Sequence, residues 1–479
     1  MESWVLVGVL AVALSGAACG EGDMQESLLC GSGIQRTMSL LHASTPDQRS
    51  PVNMLIYGQS ITGQGYVEKA LDPELRKLYP NADIRIQNRS IGGYSAPTLV
   101  RTAVHDLYPP YPDLVIFHVY DGAYTGELER IIGNIRRYTT SEIMLLTHHV
   151  TGPNRDMNDD EASKPIRALA SKYGCELVDI RAGFKAYLAA NNLKPEDLLG
   201  DVVHLNARGG ALYGQLVLAH FRFNPLVPDP WANIVRTYEA RRPLEEAVDE
   251  IRFDGKPWRV ENGGTVGESS DGTLVLKFTG NRVDVISHNV DKPGSARVLI
   301  DGRPPSSFPT TWASTRPTPL EQCWFPAVNR VTLGGVPRAE DWTLTVTFRK
   351  DDGTAFDFAL TGSVTGPDGK GESGKDFVSN SGRIRVSAGD FSFTSIAAVS
   401  KKPLPKQVEI KWSVYQMATD VLKPNLSAER GAVNRTVLAQ MLPPGQHELR
   451  IIPNGDGPVP VKEIIVHRPP MMPDSGSIR

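Results

Sequence analysis

Between residues 51 and 230, short apolar runs rich in β-branched residues alternate with longer amphipathic stretches. Short apolar runs are typical of buried strands, and stretches with an apolar residue every three or four positions are typical of helices. The predicted strands are Val52–Tyr57, Ile84–Gln87, Leu114–Val119, Ile143–Thr147 and Leu177–Ile180. The predicted helices are Val67–Tyr79, Ala96–Leu107, Glu127–Tyr138, Glu161–Tyr173, Phe184–Asn191 and Ala207–Phe223. This alternation predicts one α/β domain over residues 51–230, with a parallel sheet covered by helices on both faces.

The pattern changes after Trp231. Strand-type runs now follow one another directly, with Gly, Pro, Asn and Asp between them and few helical stretches. Examples are Thr273–Phe278, Val283–His288, Ala296–Ile300, Trp342–Phe348, Ile384–Ser387, Val408–Tyr415, His447–Ile452 and Glu463–His467. Short strands at such spacing predict a β-sandwich region over residues 231–470, followed by a tail at 471–479.

Two segments of this second half suggest how its strands are organised. GTLVLKFTGNRVDVISHN and GSARVLIDGRP, from Gly272 onward, resemble the opening half of the galactose-binding-like jelly rolls that are appended to carbohydrate enzymes. LPPGQHELRIIPNGDGPVPVKEIIVH, from Leu442, resembles the closing half of such a module. One jelly roll with a β-rich insertion at about 315–430 fits this pattern, and two sequential sandwiches fit it as well.

The N-terminus has the composition of an export signal. Trp4–Leu14 is apolar but shorter than the roughly 20 residues that a membrane-spanning helix needs. Small residues follow it up to Cys19, as a cleavage site requires. The sequence therefore predicts a signal peptide at 1–19 and an exported protein, which is periplasmic, an outer-membrane lipoprotein or extracellular. Cys19 is either lipidated, which would anchor the chain to a membrane, or removed, and the polar stretch 20–50 is predicted to be a linker with room for one short helix.

Length and composition narrow the range of functions. The chain has 479 residues, which suits two to four domains, and a net charge of −3 without a long basic run. Such a charge is not typical of proteins that bind nucleic acid. No group of His, Cys, Asp and Glu has the spacing of metal ligands, and no glycine-rich loop ends in Gly-Lys-Ser/Thr. We therefore expect neither a metal nor a cofactor.

Residues with chemical potential follow the ends of several predicted strands. Gly58-Gln59-Ser60 follows the first strand, Gly92-Gly93 lies after the second, and His118-Val119-Tyr120-Asp121 ends the third. Asp201 and His204 stand just before the last helix. Because parallel strands bring their carboxyl ends to one edge of a sheet, we expect these residues to lie close together.

Three of these residue types form a recognisable chemical set. A serine hydroxyl needs an adjacent base to act as a nucleophile near neutral pH. His204 could take the proton of Ser60, while Asp201 would orient the imidazole ring and stabilise its protonated form. Among the ten histidines, only His204 has an aspartate three residues before it. The unpaired N–H groups of a helix that begins after the first strand would face any anion formed at the serine.

These blocks, in this order, resemble the SGNH hydrolase (GDSL-type esterase/lipase) superfamily over about 170 residues, 52–223. The resemblance implies a flavodoxin-like, three-layer α/β fold and ester hydrolysis by a serine without a cofactor. It places the nucleophile on Ser60, the other two members of the triad on Asp201 and His204, and a backbone oxyanion donor on Gly93.

Two positions depart from the family pattern. Gln59 stands where the family usually has an aspartate that is not a member of the triad. The third block, normally Gly-x-Asn-Asp, reads His118-Val119-Tyr120-Asp121, so the asparagine that donates to the oxyanion is absent. We expect an oxyanion hole formed by the N–H groups of Ser60 and Gly93 and the O–H of Tyr120, with His118 as the alternative third donor. The candidate substrate-pocket residues are Gln59, His118, Asp121 and His149.

Three functions are compatible with the sequence. The first is a secreted serine esterase that removes acyl groups, in particular acetyl, from an acylated polysaccharide or oligosaccharide. The second is an esterase or lipase with the same mechanism that acts on lipid or small esters. The third is a non-catalytic carbohydrate-binding protein with a decayed site, an alternative that rests on the altered third block.

Overall fold

A computed structural model describes residues 30–152, 160–227, 233–240 and 251–472. The predicted signal peptide and Cys19 lie outside these residues, so export and lipid attachment stay predictions. Among the described residues, no helix combines the length and the apolar composition that crossing a membrane requires.

Five strands form one parallel sheet: β1 (Pro51–Gly58), β2 (Asp83–Asn88), β3 (Leu114–His118), β4 (Glu142–Leu146) and β5 (Glu176–Val178). Their order is β2-β1-β3-β4-β5, and every neighbouring pair is parallel. This is the flavodoxin-like order of doubly wound sheets. β3 and β4 are buried along their whole length, which explains why their sequences are continuous apolar runs. The predicted α/β fold class is confirmed.

Helices cover both faces of this sheet. They are α1 (Gln35–His42), α2 (Ser60–Gly63), α3 (Tyr66–Leu78), α4 (Ala96–Asp106), α5 (Glu127–Tyr138), α6 (Lys164–Tyr173), α7 (Ile180–Ala190) and α8 (Ala207–Leu218). Successive strand residues point to opposite faces. Leu55 and Val115 therefore pack in one hydrophobic core with α4, α5 and α6, whereas Met54 and Ile116 pack in the other with α1, α3, α7 and α8.

The N-terminal segment differs from the predicted linker at 20–50. From Cys30 onward it is part of the α/β unit, and α1 buries Met38 and Leu41 in the second core. Its polar sequence concealed this because two buried glutamates bind its backbone. Glu142 accepts hydrogen bonds from the N–H groups of residues 36 and 37, and Glu176 accepts them from those of residues 31 and 33. Glu142 on β4 thus satisfies free N–H groups in the first turn of α1, and Glu176 on β5 binds the residues that precede the helix.

The second half of the chain is built from antiparallel strands. They are β6 (Val235–Glu239), β7 (Arg252–Gly255), β8 (Arg259–Glu261), β9 (Gly264–Gly267), β10 (Gly272–Thr279), β11 (Arg282–Ser287), β12 (Ala296–Ile300), β13 (Trp312–Ser314), β14 (Thr332–Leu333), β15 (Glu340–Phe348), β16 (Phe356–Gly362), β17 (Gly366–Glu372), β18 (Phe377–Val378), β19 (Ile384–Val386), β20 (Gln407–Gln416), β21 (Val421–Leu422), β22 (Asn434–Gln440), β23 (Gln446–Pro453), β24 (Val459–Val461) and β25 (Glu463–His467).

Strands from the two ends of this half pair with each other. One sheet has the order β21-β12-β23-β10-β7 and another the order β22-β11-β25-β6, and both enclose one hydrophobic core. Residues 312–416 lie between these strands in the sequence and form a separate sheet, β13-β20-β15-β16-β17. We call residues 312–416 the inserted segment. It also contains the helix α9 (Phe393–Ser400).

The inserted segment packs directly on the α/β unit. Its buried Trp342, Phe358 and Trp412 belong to the same hydrophobic core as Leu55 and Val115 of the parallel sheet. The carboxylate of Asp106, which ends α4, accepts two hydrogen bonds from Nε of Arg316 at 2.8 and 2.9 Å. The inserted segment thus packs on the face of the sheet that α4, α5 and α6 cover.

Candidate active site

Ser60 is the first residue of α2, directly after the end of β1. At Gly58 the backbone has a φ of +150°, and a Cβ atom there would lie 2.0 Å from the carbonyl oxygen of His118 on β3. Only glycine fits such a close approach of two strands. The chain can therefore turn sharply at Gln59, and the serine leaves the sheet at its carboxyl edge.

The structure brings Ser60, His204 and Asp201 together in one hydrogen-bonded chain. Nε2 of His204 lies 3.0 Å from Oγ of Ser60, and Nδ1 of His204 lies 2.7 Å from Oδ2 of Asp201. The ring therefore presents one nitrogen to the serine and the other to the carboxylate. This is the geometry in which imidazole can take the serine proton while its orientation is fixed from behind.

The carboxylate of Asp201 is bound by the backbone of its own turn. The N–H groups of His204 and Val203 donate to Oδ1 at 2.7 and 2.8 Å. These two bonds, together with the contact to the His204 side chain, lower the pKa of Asp201 to about 2. The group is therefore ionised near neutral pH and can stabilise a protonated imidazole.

Gln64 holds the turn that carries His204 against the helix that carries Ser60. Its Nε2 donates to the carbonyl oxygen of Leu205 at 2.9 Å, and its Oε1 accepts from the Leu205 N–H at 3.2 Å. The side chain of Asn206 then caps α8 by accepting from the N–H of Gly209. The sequence did not predict Gln64 as a positioning residue, although it directly follows the short helix that begins at the serine.

Two backbone N–H groups are available for an oxyanion. Gly93 is exposed and has a φ of +81°, in a turn closed by a hydrogen bond from the Tyr94 N–H to the carbonyl of Ile91. That turn is tied to β1 because the N–H of Ile91 donates to the carbonyl of Gly58. No hydrogen bond from the N–H of Ser60 or Gly93 is found among the residues that the structure describes. Both groups can thus serve as the predicted donors.

The hydroxyl of Tyr120, the predicted third donor, has a different partner in the structure. It lies 3.3 Å from Nδ1 of His149, whose Nε2 lies 2.8 Å from the carbonyl oxygen of Val203. A carbonyl only accepts, so His149 donates from Nε2 and accepts the tyrosine proton at Nδ1. Burial lowers the pKa of His149 to about 4, which keeps the ring neutral. Tyr120 is therefore connected through His149 to the carbonyl of Val203, in the turn that carries Asp201 and His204.

We expect Tyr120→Phe to lower kcat by less than about tenfold, because the hydroxyl donates to His149. Loss of a true oxyanion donor costs about 10²- to 10³-fold in kcat. Steady-state kinetics on 4-nitrophenyl acetate measure the difference, with a thermal melt as the check on folding. A loss of 10²-fold or more, with KM unchanged, would return Tyr120 to the oxyanion hole.

The other candidate pocket residues lie in different environments. His118 and His149 are buried, which speaks against direct contact with a polymeric substrate. His118 contacts Nδ1 of His148 through its Nε2 at 3.1 Å, and burial holds its pKa well below the usual value. Asp121 is exposed, and its carboxylate accepts from the N–H of Gly122. Gln59 is nearest to the chemistry, since its Oε1 lies 3.2 Å from Oγ of Ser60. Its contact with substrate and those of the other three stay predictions.

One group of side chains in the described part of the chain lies close enough to hold a metal ion: Cys30, Glu176 and His220. Both carboxylate oxygens of Glu176 already accept N–H groups of the N-terminal segment, and one also contacts Nδ1 of His220. These contacts explain the group as an attachment of the N-terminal segment to β5.

The inserted segment reaches the turn of Gly93, which sequence analysis did not predict. The indole N–H of Trp324 donates to the carbonyl of Gly92 at 2.8 Å, and the hydroxyl of Tyr94 donates to Oδ1 of Asn329 at 2.6 Å. No local signal could have revealed these bonds, because their partners are more than 200 residues apart.

Comparisons with known proteins give structural neighbours only. No family model matches the chain, and no curated protein matches it. A solved two-domain esterase (CEX) active on acetylated mannans, co-crystallised with mannopentaose, is 13% identical with a TM-score of 0.34, over 92% of this chain and 95% of that one.

Two acetylxylan esterases match a smaller share of the chain. Axe2 from Geobacillus stearothermophilus is 22% identical with a TM-score of 0.33, over 38% of this chain and 98% of its own. The acetyl xylan esterase AlAXEase is 24% identical with a TM-score of 0.31, over 35% and 98%. Similarity at this level does not transfer an activity, and we therefore base the function on the geometry of this chain's own site.

Proposed function

We propose that the protein is an exported serine esterase that removes acyl groups, in particular acetyl, from carbohydrate. The observation that carries the proposal is the chain of hydrogen bonds from Ser60 Oγ through His204 to Asp201, at 3.0 and 2.7 Å. It stands at the carboxyl edge of a parallel sheet, where open α/β folds place their sites. The N–H groups of Ser60 and Gly93, for which no hydrogen bond is found within the described residues, are the candidate donors to the oxyanion that acyl transfer forms.

The residues can carry out acyl transfer in two steps. Nε2 of His204 takes the proton as Oγ of Ser60 attacks the ester carbonyl carbon, and the carbonyl oxygen gains the negative charge. The N–H groups of Ser60 and Gly93 stabilise that charge, and the ionised Asp201 stabilises the imidazolium. His204 then protonates the departing sugar hydroxyl, leaving an acyl-serine. Water, deprotonated by His204, attacks the acyl-serine, and the carboxylic acid leaves as Ser60 regains its proton.

The carbohydrate part of the proposal rests on the second half of the chain. The strands 272–300 and 442–467 have the sequence resemblance to galactose-binding-like jelly rolls, and they pair in the structure around one core. An exported location fits a polysaccharide substrate, with a lipid anchor at Cys19 as one form of attachment.

A substrate profile tests this function. The purified full chain should release acetate from acetylated mannan or acetylated xylan and should hydrolyse 4-nitrophenyl acetate. Its activity on 4-nitrophenyl palmitate should be at least about tenfold lower, because a pocket that fits a short acyl group discriminates against a long one. Preference for the palmitate would favour the lipid-ester alternative. Absence of turnover on every ester would favour the non-catalytic alternative.

A further inference from the structure

Trp324 is an exposed aromatic side chain beside the nucleophile. Its exposed fraction is 60%, so much of the indole is open to a ligand. A Cβ atom placed on Gly92 would lie 3.2 Å from the indole nitrogen and 3.8 Å from Cβ of Ser60. The indole and the serine side chain therefore both border on the same glycine.

The ring of Trp324 is fixed by its edge. Its N–H donates to the carbonyl of Gly92, and the ring of Phe325 meets it nearly perpendicularly, at 5.8 Å between centroids and an interplanar angle of 87°. Phe325 in turn contacts the ring of Tyr94 at 5.3 Å. An aromatic ring held in this way loses little freedom on binding, and much of its surface stays open to a ligand.

Three residues of the inserted segment hold the loop that carries Gly93. Arg316 donates to the carbonyl of Arg89 at 2.8 Å, Trp324 donates to the carbonyl of Gly92, and Asn329 accepts from the hydroxyl of Tyr94. The oxyanion turn and the exposed indole are thus parts of one hydrogen-bonded unit. These contacts fix the indole relative to the N–H of Gly93, so a ligand bound on the indole would also lie at a fixed place relative to that donor.

We propose that Trp324 forms a carbohydrate-binding wall of the active site, against which a sugar ring of the acylated chain stacks. The inference rests on the proposed function and names which part of the second half binds its substrate. A pyranose ring presents an apolar face of C–H groups, which is attracted to the electron-rich face of an indole. Because the wall adjoins Ser60, it would orient the sugar that bears the ester and not a distant unit of the polymer.

The test compares Trp324→Ala and Trp324→Phe with the wild type on two substrates, acetylated manno-oligosaccharides and 4-nitrophenyl acetate. Trp324→Ala should raise KM for the oligosaccharide at least about tenfold, and by clearly more than for the aryl ester, which has no sugar to stack. Trp324→Phe keeps an aromatic face but loses the N–H, so it should retain most of the affinity for the oligosaccharide. The matched control is Trp312→Phe. Trp312 is another tryptophan of the inserted segment, and this variant also removes an indole hydrogen bond of 2.8 Å, from Trp312 to the carbonyl of Ser306.

Calorimetry separates this inference from the proposed function. Ser60→Ala should bind the acetylated oligosaccharide, and the double variant with Trp324→Ala should bind it at least about tenfold more weakly. That difference would support the wall even if the wild type hydrolysed no ester. Equal losses on the two kinetic substrates would overturn the wall and leave Trp324 only as a support for Gly92. Equal binding by the two calorimetry variants would overturn it too.

Discussion

Replacing Ser60 by alanine should lower kcat for ester hydrolysis by about 10⁴-fold or more, since loss of a nucleophile removes the acyl-enzyme route altogether. The fold should be unaffected. Within the described residues, the hydroxyl bonds only with His204 and Gln59, and the side chain belongs to no hydrophobic core. Release of 4-nitrophenol from the acetate measures the activity, and a thermal melt measures the stability.

Ser95→Ala is the matched control for this variant. Ser95 lies in the same loop as Gly93, and its side chain makes no capping hydrogen bond to α4. A fluorophosphonate, which reacts with activated serines, should add its mass to the wild type and to Ser95→Ala but not to Ser60→Ala. Undiminished turnover by Ser60→Ala, or labelling of it, would end the assignment of Ser60 as the nucleophile.

Most of the α/β fold could be predicted because its signals are local. β3 and β4 are buried on both faces, so their positions follow from continuous apolar runs. Helix α5 has the predicted ends, since Glu127 begins an amphipathic repeat that stops at Tyr138. The helix at Gln35–His42 could not be predicted in this way, because the glutamate that accepts from its first N–H groups, Glu142, lies on β4, more than 100 residues away.

The residues of the site also differ in whether their roles could be predicted from local sequence. Ser60, Asp201 and His204 could be selected from the sequence because each is marked by near neighbours: a glycine turn after a strand for the first, and a three-residue spacing for the other two. The contacts of Tyr120 could not, because a tyrosine at a strand end gives no indication of whether it bonds to an oxyanion or to a buried histidine such as His149. Folding alone decides between these partners.

The contact of Trp324 with the loop of Gly93 could not be predicted from the sequence, for the same reason. Its partner, the carbonyl of Gly92, is a backbone atom 232 positions away, and Trp324 itself is part of no motif. The position of the inserted segment on α4 determines the contact, through Arg316 and Asp106 among others. The sequence therefore predicts the catalytic residues of such a site, but not the contacts that a second structural unit adds to it.

Replacing Asp201 by asparagine should lower kcat by about 10⁴-fold while leaving the turn intact, as expected when the base is held in the wrong tautomer. The amide oxygen can still accept from the N–H groups of Val203 and His204, so the backbone geometry should survive. The amide NH₂ would replace the Oδ2 that lies 2.7 Å from Nδ1 of His204. Nδ1 must then accept a hydrogen bond from the amide, so the ring hydrogen lies on Nε2, which can no longer take the proton of Ser60.

The pH dependence distinguishes the effect of the wrong imidazole tautomer from a loss of the negative charge of Asp201 by protonation. Because the backbone N–H groups lower the pKa of Asp201 to about 2, the wild-type carboxylate stays ionised from pH 5 to pH 9, and any acid loss of activity in that range belongs to another group. Asp201→Asn should therefore be inactive at every pH in the range and not merely shifted. Asp197→Asn is the matched control, since Asp197 caps a turn in the same loop by accepting from the N–H of Lys194 at 2.8 Å. Activity of Asp201→Asn within tenfold of the wild type, with Asp197→Asn unchanged, would remove Asp201 from the proton-transfer chain and leave Ser60 and His204 as a dyad.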